Sequence, residues 1–167
     1  AEAHSNLGVT LQDLGRLEEA AASYNEAIAL KPEFVEAHVN LGNTLRELKR
    51  LSKAEASYKK AIALRPDHVE AYNNLGITLQ EIGRFEEAES SYNEAIALKP
   101  DYADAYRNLG NMLKEMGRFD EAESSYNQAI ALKPDHAVAQ NNLGNILKEL
   151  GRLDEAKSSY NQAIALK

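Results

Sequence analysis

The sequence has no cysteine and no tryptophan, and only four prolines, two methionines and three phenylalanines among 167 residues. Without thiols, disulfide frameworks, Cys-ligated zinc, iron–sulfur clusters and cysteine nucleophiles are excluded. Long apolar runs are also missing, and nothing approaches the roughly 18 apolar residues that a membrane-spanning helix needs. Positive charge is scarce: 19 Lys and Arg stand against 26 Asp and Glu, a formal charge of −7. Phosphate backbones and anionic lipid repel such a chain, so no nucleic acid and no membrane is expected as partner, and a neutral or basic one fits better. The chain opens Ala1-Glu2-Ala3-His4, without a basic segment leading into an apolar core and without an initiator Met, and so reads as an excerpt. The lack of Cys and of a leader is compatible with a cytoplasmic location.

What is present is a repeat. The prolines fall at Pro32, Pro66, Pro100 and Pro134, each 34 residues from the last. That period aligns Gly8, Gly42, Gly76, Gly110 and Gly144, and likewise Ala20, Ala54, Ala88, Ala122 and Ala156. Five repeats follow, 1–34, 35–68, 69–102, 103–136 and a shortened 137–167. Over the 31 residues that the fourth and fifth share, 24 are identical, a closeness that points to recent duplication or deliberate idealisation.

Each repeat is helical twice. Ala71, Leu75, Thr78, Leu79 and Ile82 keep the spacing of one helix face. Gly83-Arg84 then interrupts, since Gly accepts a left-handed turn at little steric cost. Phe85, Ala88, Tyr92, Ala95, Ile96 and Leu98 resume the series, with Glu86 and Glu87 suited to the start of a second helix. Lys99-Pro100 ends it, because the residue before Pro is pushed out of the α region. The small residues at repeat positions 8, 20 and 27 allow close approach of two helices, and a helix pair that cannot bury its apolar face alone must stack on its neighbours. The Tyr at position 24 faces the core with its hydroxyl available for a bond.

The period, with Leu7, Gly8, Ala20, Tyr24, Ala27, Pro32 and their counterparts, resembles the tetratricopeptide repeat (TPR) family over essentially the whole chain. The resemblance implies an all-α fold, a right-handed α-solenoid of five stacked helix-turn-helix units with about ten helices, in a single array over 1–167 with a concave face. Two departures are local. Position 4, where the family often has a bulky aromatic, carries His4, His38, Tyr72, Tyr106 and Gln140, so packing there should be looser and uneven. Lys49 replaces the turn Gly found at 15, 83, 117 and 151, at a cost of about 1 kcal/mol if a positive φ is required, which makes the second repeat the weak point. Lys167 closes a helix with no capping helix after it, so the array is either cut from a longer chain or stacks end to end.

At about 100° per residue, positions 2, 5, 6, 9, 12 and 13 of the first helix lie opposite its packing arc. By resemblance to the family this free arc lines the inner groove. Its formal charge runs −2, −1, −2, 0 and 0 from the first repeat to the fifth, so acidity gathers toward the N-terminus. Position 6 is always Asn: Asn6, Asn40, Asn74, Asn108 and Asn142. Each costs about 0.5 kcal/mol against Ala inside a helix, so something should offset them. A row of amides, each both donor and acceptor, can pair with the backbone of an extended peptide whatever its side chains. Asn43, Asn73, Arg107, Asn111 and Asn145 sit beside the row. The competing reading makes each Asn a register device bonded to the neighbouring repeat, and both can hold together. The row is similar to the asparagine ladder in the superhelical repeat domain of O-linked N-acetylglucosamine transferases, where it grips protein substrates. No glycosyltransferase domain is present to carry that activity. A clamp for acidic chaperone tails, which wants basic residues at positions 2, 5 and 6, is disfavoured because only Arg107 is basic there.

Catalytic chemistry finds no footing in the sequence. His4 and His38 occupy packing positions, and His68 and His136 lie in the Pro turns, none with a ligand or base partner at i+4. The nine glycines never fall in a phosphate-cradling spacing. No cofactor and no metal are expected, and the chain is read as no enzyme. The second repeat gathers Arg46, Lys49, Arg50, Lys53, Lys59, Lys60 and Arg65, read first as charge complementarity between repeats and second as a docking patch. The functional expectation is a non-catalytic scaffold holding an extended protein or peptide segment in the groove. The alternatives are end-to-end self-association through uncapped terminal helices, disrupted by charge at Ile164 or Leu166, and an excerpted or idealised array with no ligand of its own.

Overall fold

The structure is a computed structural model that describes residues 1–166. The end position expected of Lys167 lies outside the described residues. Two helices form in each repeat: α1 (Glu2–Asp13) and α2 (Leu17–Leu30), α3 (Val35–Glu47) and α4 (Leu51–Leu64), α5 (Val69–Ile82) and α6 (Phe85–Leu98), α7 (Ala103–Glu115) and α8 (Phe119–Leu132), α9 (Ala137–Glu149) and α10 (Leu153–Ala165). The chain divides into two compact bodies, Ala1–Ser91 and Tyr92–Lys167.

The turn inside each repeat is set by its backbone. Gly15, Gly83, Gly117 and Gly151 all take positive φ, and Lys49 takes φ 58° in the same place. The required conformation is left-handed, and the second repeat adopts it with a side chain that disfavours it. Arg50 N–H donates to Leu45 O at 2.8 Å and Lys49 N–H to Arg46 O at 2.9 Å, as Arg16 and Gly15 do to Leu11 and Gln12. This double bond to the last helical turn holds the left-handed residue in place. At the other turns Lys31 and Arg65, each before a Pro, leave the helical region at φ −145° and −139°.

In the N-terminal body α1 pairs with α2 and α3 with α4, while α2 touches α3 and α4 touches α5. The C-terminal body repeats this with α7 on α8, α9 on α10, and α8 on α9. Odd-numbered helices also touch within each body, α1 with α3, α3 with α5, and α7 with α9. Each hairpin closes on a tyrosine. Tyr24, Tyr58 and Tyr126 are fully buried among fully buried alanines such as Ala20 and Ala27. A Cβ on Gly8 or Gly42 would sit 2.6 Å from the Tyr24 or Tyr58 ring, so position 8 stays Gly because the ring occupies that space.

Position 4 is unevenly filled, as expected. His38 and Gln140 are buried while His4, Tyr72 and Tyr106 are partly exposed. His38 Nε2 lies 2.8 Å from Pro32 O, whereas the buried Gln140 Oε1 has no hydrogen-bond partner, a lapse that costs about 1–3 kcal/mol.

Candidate functional site

The asparagine row lies on the odd-numbered helices, and its members are not alike. Asn6 is exposed, Asn40, Asn74 and Asn142 are half-buried, and Asn108 is buried. Asn74 Nδ2 donates to Asn43 Oδ1 of the preceding repeat at 3.0 Å, and Asn142 Nδ2 donates to Asn111 Oδ1 at 2.8 Å. Each acceptor is also claimed from within its own repeat: Tyr58 Oη donates to Asn43 at 2.7 Å and Tyr126 Oη to Asn111 at 2.8 Å. One amide oxygen therefore joins the two helices of its repeat to the first helix of the next. Tyr160 Oη donates to Asn145 Oδ1 at 2.9 Å in the same way. The hydroxyl expected to seek a bond finds it at position 9. Burial pushes the Tyr58 hydroxyl up to about 12, so it stays protonated and a donor at any ordinary pH.

The first repeat has Val9 where that acceptor should be. Gln12 takes over, its Oε1 accepting from Tyr24 Oη at 3.3 Å and Thr44 Oγ1 at 3.2 Å while its Nε2 donates to Glu47 at 2.8 Å. Asn40, the residue one repeat on, faces no amide at position 9, and its side chain makes no hydrogen bond among the described residues. Asn40 and Asn6 therefore carry open amides, whereas the Asn74 and Asn142 donors are committed.

Position 5 is less open than the arc of a lone helix implies. Ser5, Val39 and Asn73 are buried, and Asn73 Nδ2 donates to Asn74 Oδ1 at 3.3 Å. The arc takes no account of helices packed on both flanks. Arg107 at this position is half-buried and donates to Asp104 at 3.2 Å.

Charge around this face is paired both between repeats and within them. Arg46 and Lys49 reach Glu81 of the third repeat at 3.4 and 3.1 Å, and Arg50 forks onto Glu18 of the first at 2.7 and 2.8 Å. Arg65 pairs with Glu36 at 2.7 Å and Lys59 with Glu55 at 2.7 Å. Three cations of the basic second repeat, Arg46, Lys49 and Arg50, thus pair with acids of its neighbours, and Glu2, Asp13 and Glu70 are exposed acids of the N-terminal body. Lys59 beside Glu55 holds that carboxyl below its usual range, with Arg84 adding to the effect against the opposing influence of burial.

The Pro-turn histidines do something the sequence reading missed. His68 Nδ1 accepts from Ala71 N–H at 3.3 Å and His136 Nδ1 from Ala139 N–H at 3.4 Å, so each caps the helix that follows. His is outside the usual Ser, Thr, Asp and Asn set, and the only signal was its place immediately before the helix. Burial and the nearby Arg107 charge hold His136 below its ordinary value against the opposing pull of Asp104, which keeps the ring neutral and the cap in place. Among the described residues no group of three or more His, Asp or Glu could hold a metal ion. No described helix is long and apolar enough to cross a membrane.

The family profile described as "Tetratricopeptide repeat" matches residues 33–101 and 101–167, and that described as "TPR repeat" matches 11–46. No curated protein matches the sequence. Among solved structures the chain is similar to MamA, with a TM-score of 0.86 at 30% identity over 95% of this chain and 93% of that one. It is similar in fold to PilF of Pseudomonas aeruginosa, with a TM-score of 0.90 at 23% identity over 99% and 76%. It is also similar in fold to YrrB, a TPR protein with an unusual peptide-binding site, with a TM-score of 0.75 at 23% identity over 98% and 84%. The all-α α-solenoid class expected from the repeat is the one found, and the chain belongs to the tetratricopeptide repeat family.

Proposed function

We propose that the chain is a non-catalytic interaction scaffold that holds an extended, neutral or basic peptide along the face of its odd-numbered helices. Proteins of this family mediate protein–protein interactions, and the fold carries a peptide site in YrrB. The observation that favours this use here is the pair of open amides at Asn6 and Asn40. They belong to the N-terminal body, where Glu2, Asp13 and Glu70 are exposed. A half-buried amide with both donors and an acceptor unspent pairs with a peptide N–H and C=O at once, without regard to side chains. In the C-terminal body Asn108, Asn145 and Arg107 stand at the corresponding repeat positions, while Asn43, Asn73 and Asn74 in one body, and Asn111 and Asn142 in the other, form networks that keep neighbouring helices in register. Both readings of the asparagine row then apply, to different members of it.

Selection from a random-sequence peptide library tests this. The chain should enrich extended peptides poor in acidic residues. Remaking an enriched peptide with N-methylated backbone amides should weaken its binding tenfold or more, since two lost hydrogen bonds are worth on the order of 2 kcal/mol. No enrichment, or indifference to N-methylation, would contradict backbone recognition.

A further inference from the structure

His136 caps α9 and His68 caps α5 with the same atom from the same repeat position, but the two helices do not depend on their caps equally. Ala71 N–H divides itself between His68 O at 3.1 Å and His68 Nδ1 at 3.3 Å. Ala139 N–H has His136 Nδ1 at 3.4 Å and no other acceptor among the described residues. The first turn of α5 also carries Glu70, a carboxylate suited to the positive end of a helix, whereas that of α9 carries no acid. The α9 turn has a further weakness in Gln140, whose Oε1 is buried without a hydrogen bond. Two residues beyond Gln140, Asn142 makes the bond to Asn111 that ties the fifth repeat to the fourth. That tie is approached through a turn whose one side-chain cap is an imidazole lone pair.

The lone pair exists only on the neutral ring. Accepting at Nδ1 places the ring proton on Nε2, and Nε2 is buried with Asp104 Oδ1 3.5 Å away. A second proton enters at Nδ1, where it turns the acceptor into an N–H aimed at another N–H and sets a positive charge on the positive end of α9. The charged groups that face the ring are Asp104 and Arg107 of α7 and Lys133 at the end of α8. Burial, then Arg107 and more weakly Lys133, oppose the proton and hold the ring below its ordinary value of 6.5. Asp104 pulls the other way, but its Oδ1 already accepts from Arg107 at 3.2 Å. The fold thus favours the neutral ring, so the contribution of the cap is intact above about pH 6.5 and is lost as pH falls below that through the depressed value. His68 has a different outlet, because Glu70 Oε2 lies 3.4 Å from its Nδ1 and receives a proton added there.

We propose that His136 is a proton-operated latch on α9: protonation of Nδ1 withdraws the acceptor from Ala139, opens the first turn of the helix and loosens the Asn142–Asn111 tie behind it. Under the same acidification α5 keeps its first turn, through the shared bond of Ala71 and through Glu70. The latch involves neither Asn6 nor Asn40, and stands whether or not the chain binds a peptide.

Amide hydrogen exchange followed by NMR from about pH 8 to about pH 5 tests it, with each rate expressed as protection against the unfolded chain and the charge of each imidazole read from its ring carbon shifts. As His136 titrates, protection of Ala139 should fall about fivefold, the effect of losing a helix cap, and that of Asn142 should follow. Protection of Ala71 should fall by less as His68 titrates. His136→Asn, which caps through an amide oxygen that does not titrate, should hold the protection of Ala139 constant over the range. Arg107→Gln should move the titration of His136 up, and Asp104→Asn should move it further down. Protection of Ala139 that ignores the charge of His136, a loss that persists in His136→Asn, or an equal loss at Ala71 would each overturn the proposal.

Discussion

The junction between the first and second repeats and that between the second and third use the same elements and close differently. In the latter, Asn43 Oδ1 gathers Tyr58 at 2.7 Å and Asn74 at 3.0 Å, and Arg84 reaches a half-buried Glu55 at 2.8 and 2.9 Å. In the former, Gln12 substitutes from one turn further along, its bonds from Tyr24 and Thr44 lengthen to 3.3 and 3.2 Å, and Arg50 pairs with an exposed Glu18. The difference in the amides traces to Val9 against Asn43, and that in the arginine pairing to Ala21 against Glu55. Beside Asn43 the next asparagine, Asn74, is structural; beside Val9 the next asparagine, Asn40, is open. A single repeat motif thus yields both a fastened junction and an open one.

Removing what the two junctions share should have the largest effect. Gly42→Ala sets a Cβ 2.6 Å from the Tyr58 ring and should lower stability by about 3 kcal/mol, with Gly8→Ala costing the same beside Tyr24. Urea titration of helicity measures both, and a loss much smaller than this would mean that the ring yields easily. Lys49→Gly should raise stability by about 1 kcal/mol, because the left-handed φ of 58° no longer opposes a side chain. The bond it gives up to Glu81 comes from a largely exposed ammonium and is worth little. No gain in urea midpoint would show the strain to be relieved elsewhere.

The asparagines divide the junctions by sign. Asn40→Ala should stabilise by about 0.5 kcal/mol through helix propensity alone. Asn74→Ala should destabilise by a similar amount, about 1 kcal/mol of hydrogen bond less that same propensity gain. Thermal midpoints moving the same way in both variants would erase the distinction between open and committed amides. The smallest effect is in acid. Because the folded-state value of Glu55 lies below its ordinary 4.5, its contribution is intact above that pH and is lost as pH falls through the depressed value. Glu55→Gln should flatten the acid limb of the stability profile, and an unaltered limb would remove Glu55 from the account.

Much of the fold could be read from the residues because the information is local. Gly83 and its counterparts mark left-handed turns, the Pro spacing gives the period, and Lys49 stands out against four glycines before its φ is known. The asparagine row was legible as a row, and the Tyr hydroxyl as a donor in search of a partner. The commitment of individual members was not, because whether Asn74 or Asn40 is free depends on position 9 of a different repeat and on the offset between helices. Burial of Asn73 escaped for a related reason: a single-helix arc has no neighbours. The caps from His68 and His136 were hidden because an imidazole accepts from a helix N–H only when its tautomer and turn allow it.

The measurement that bears most directly on the central claim is the affinity of one enriched extended peptide for Asn40→Ala and for Asn74→Ala, each folded and compared with the unaltered chain. The account predicts at least a several-fold loss for Asn40→Ala at an equal or higher thermal midpoint, and near-unchanged affinity for Asn74→Ala at a lower one. Equal affinities for all three chains would contradict it, and would leave the open amide at Asn40 without a ligand.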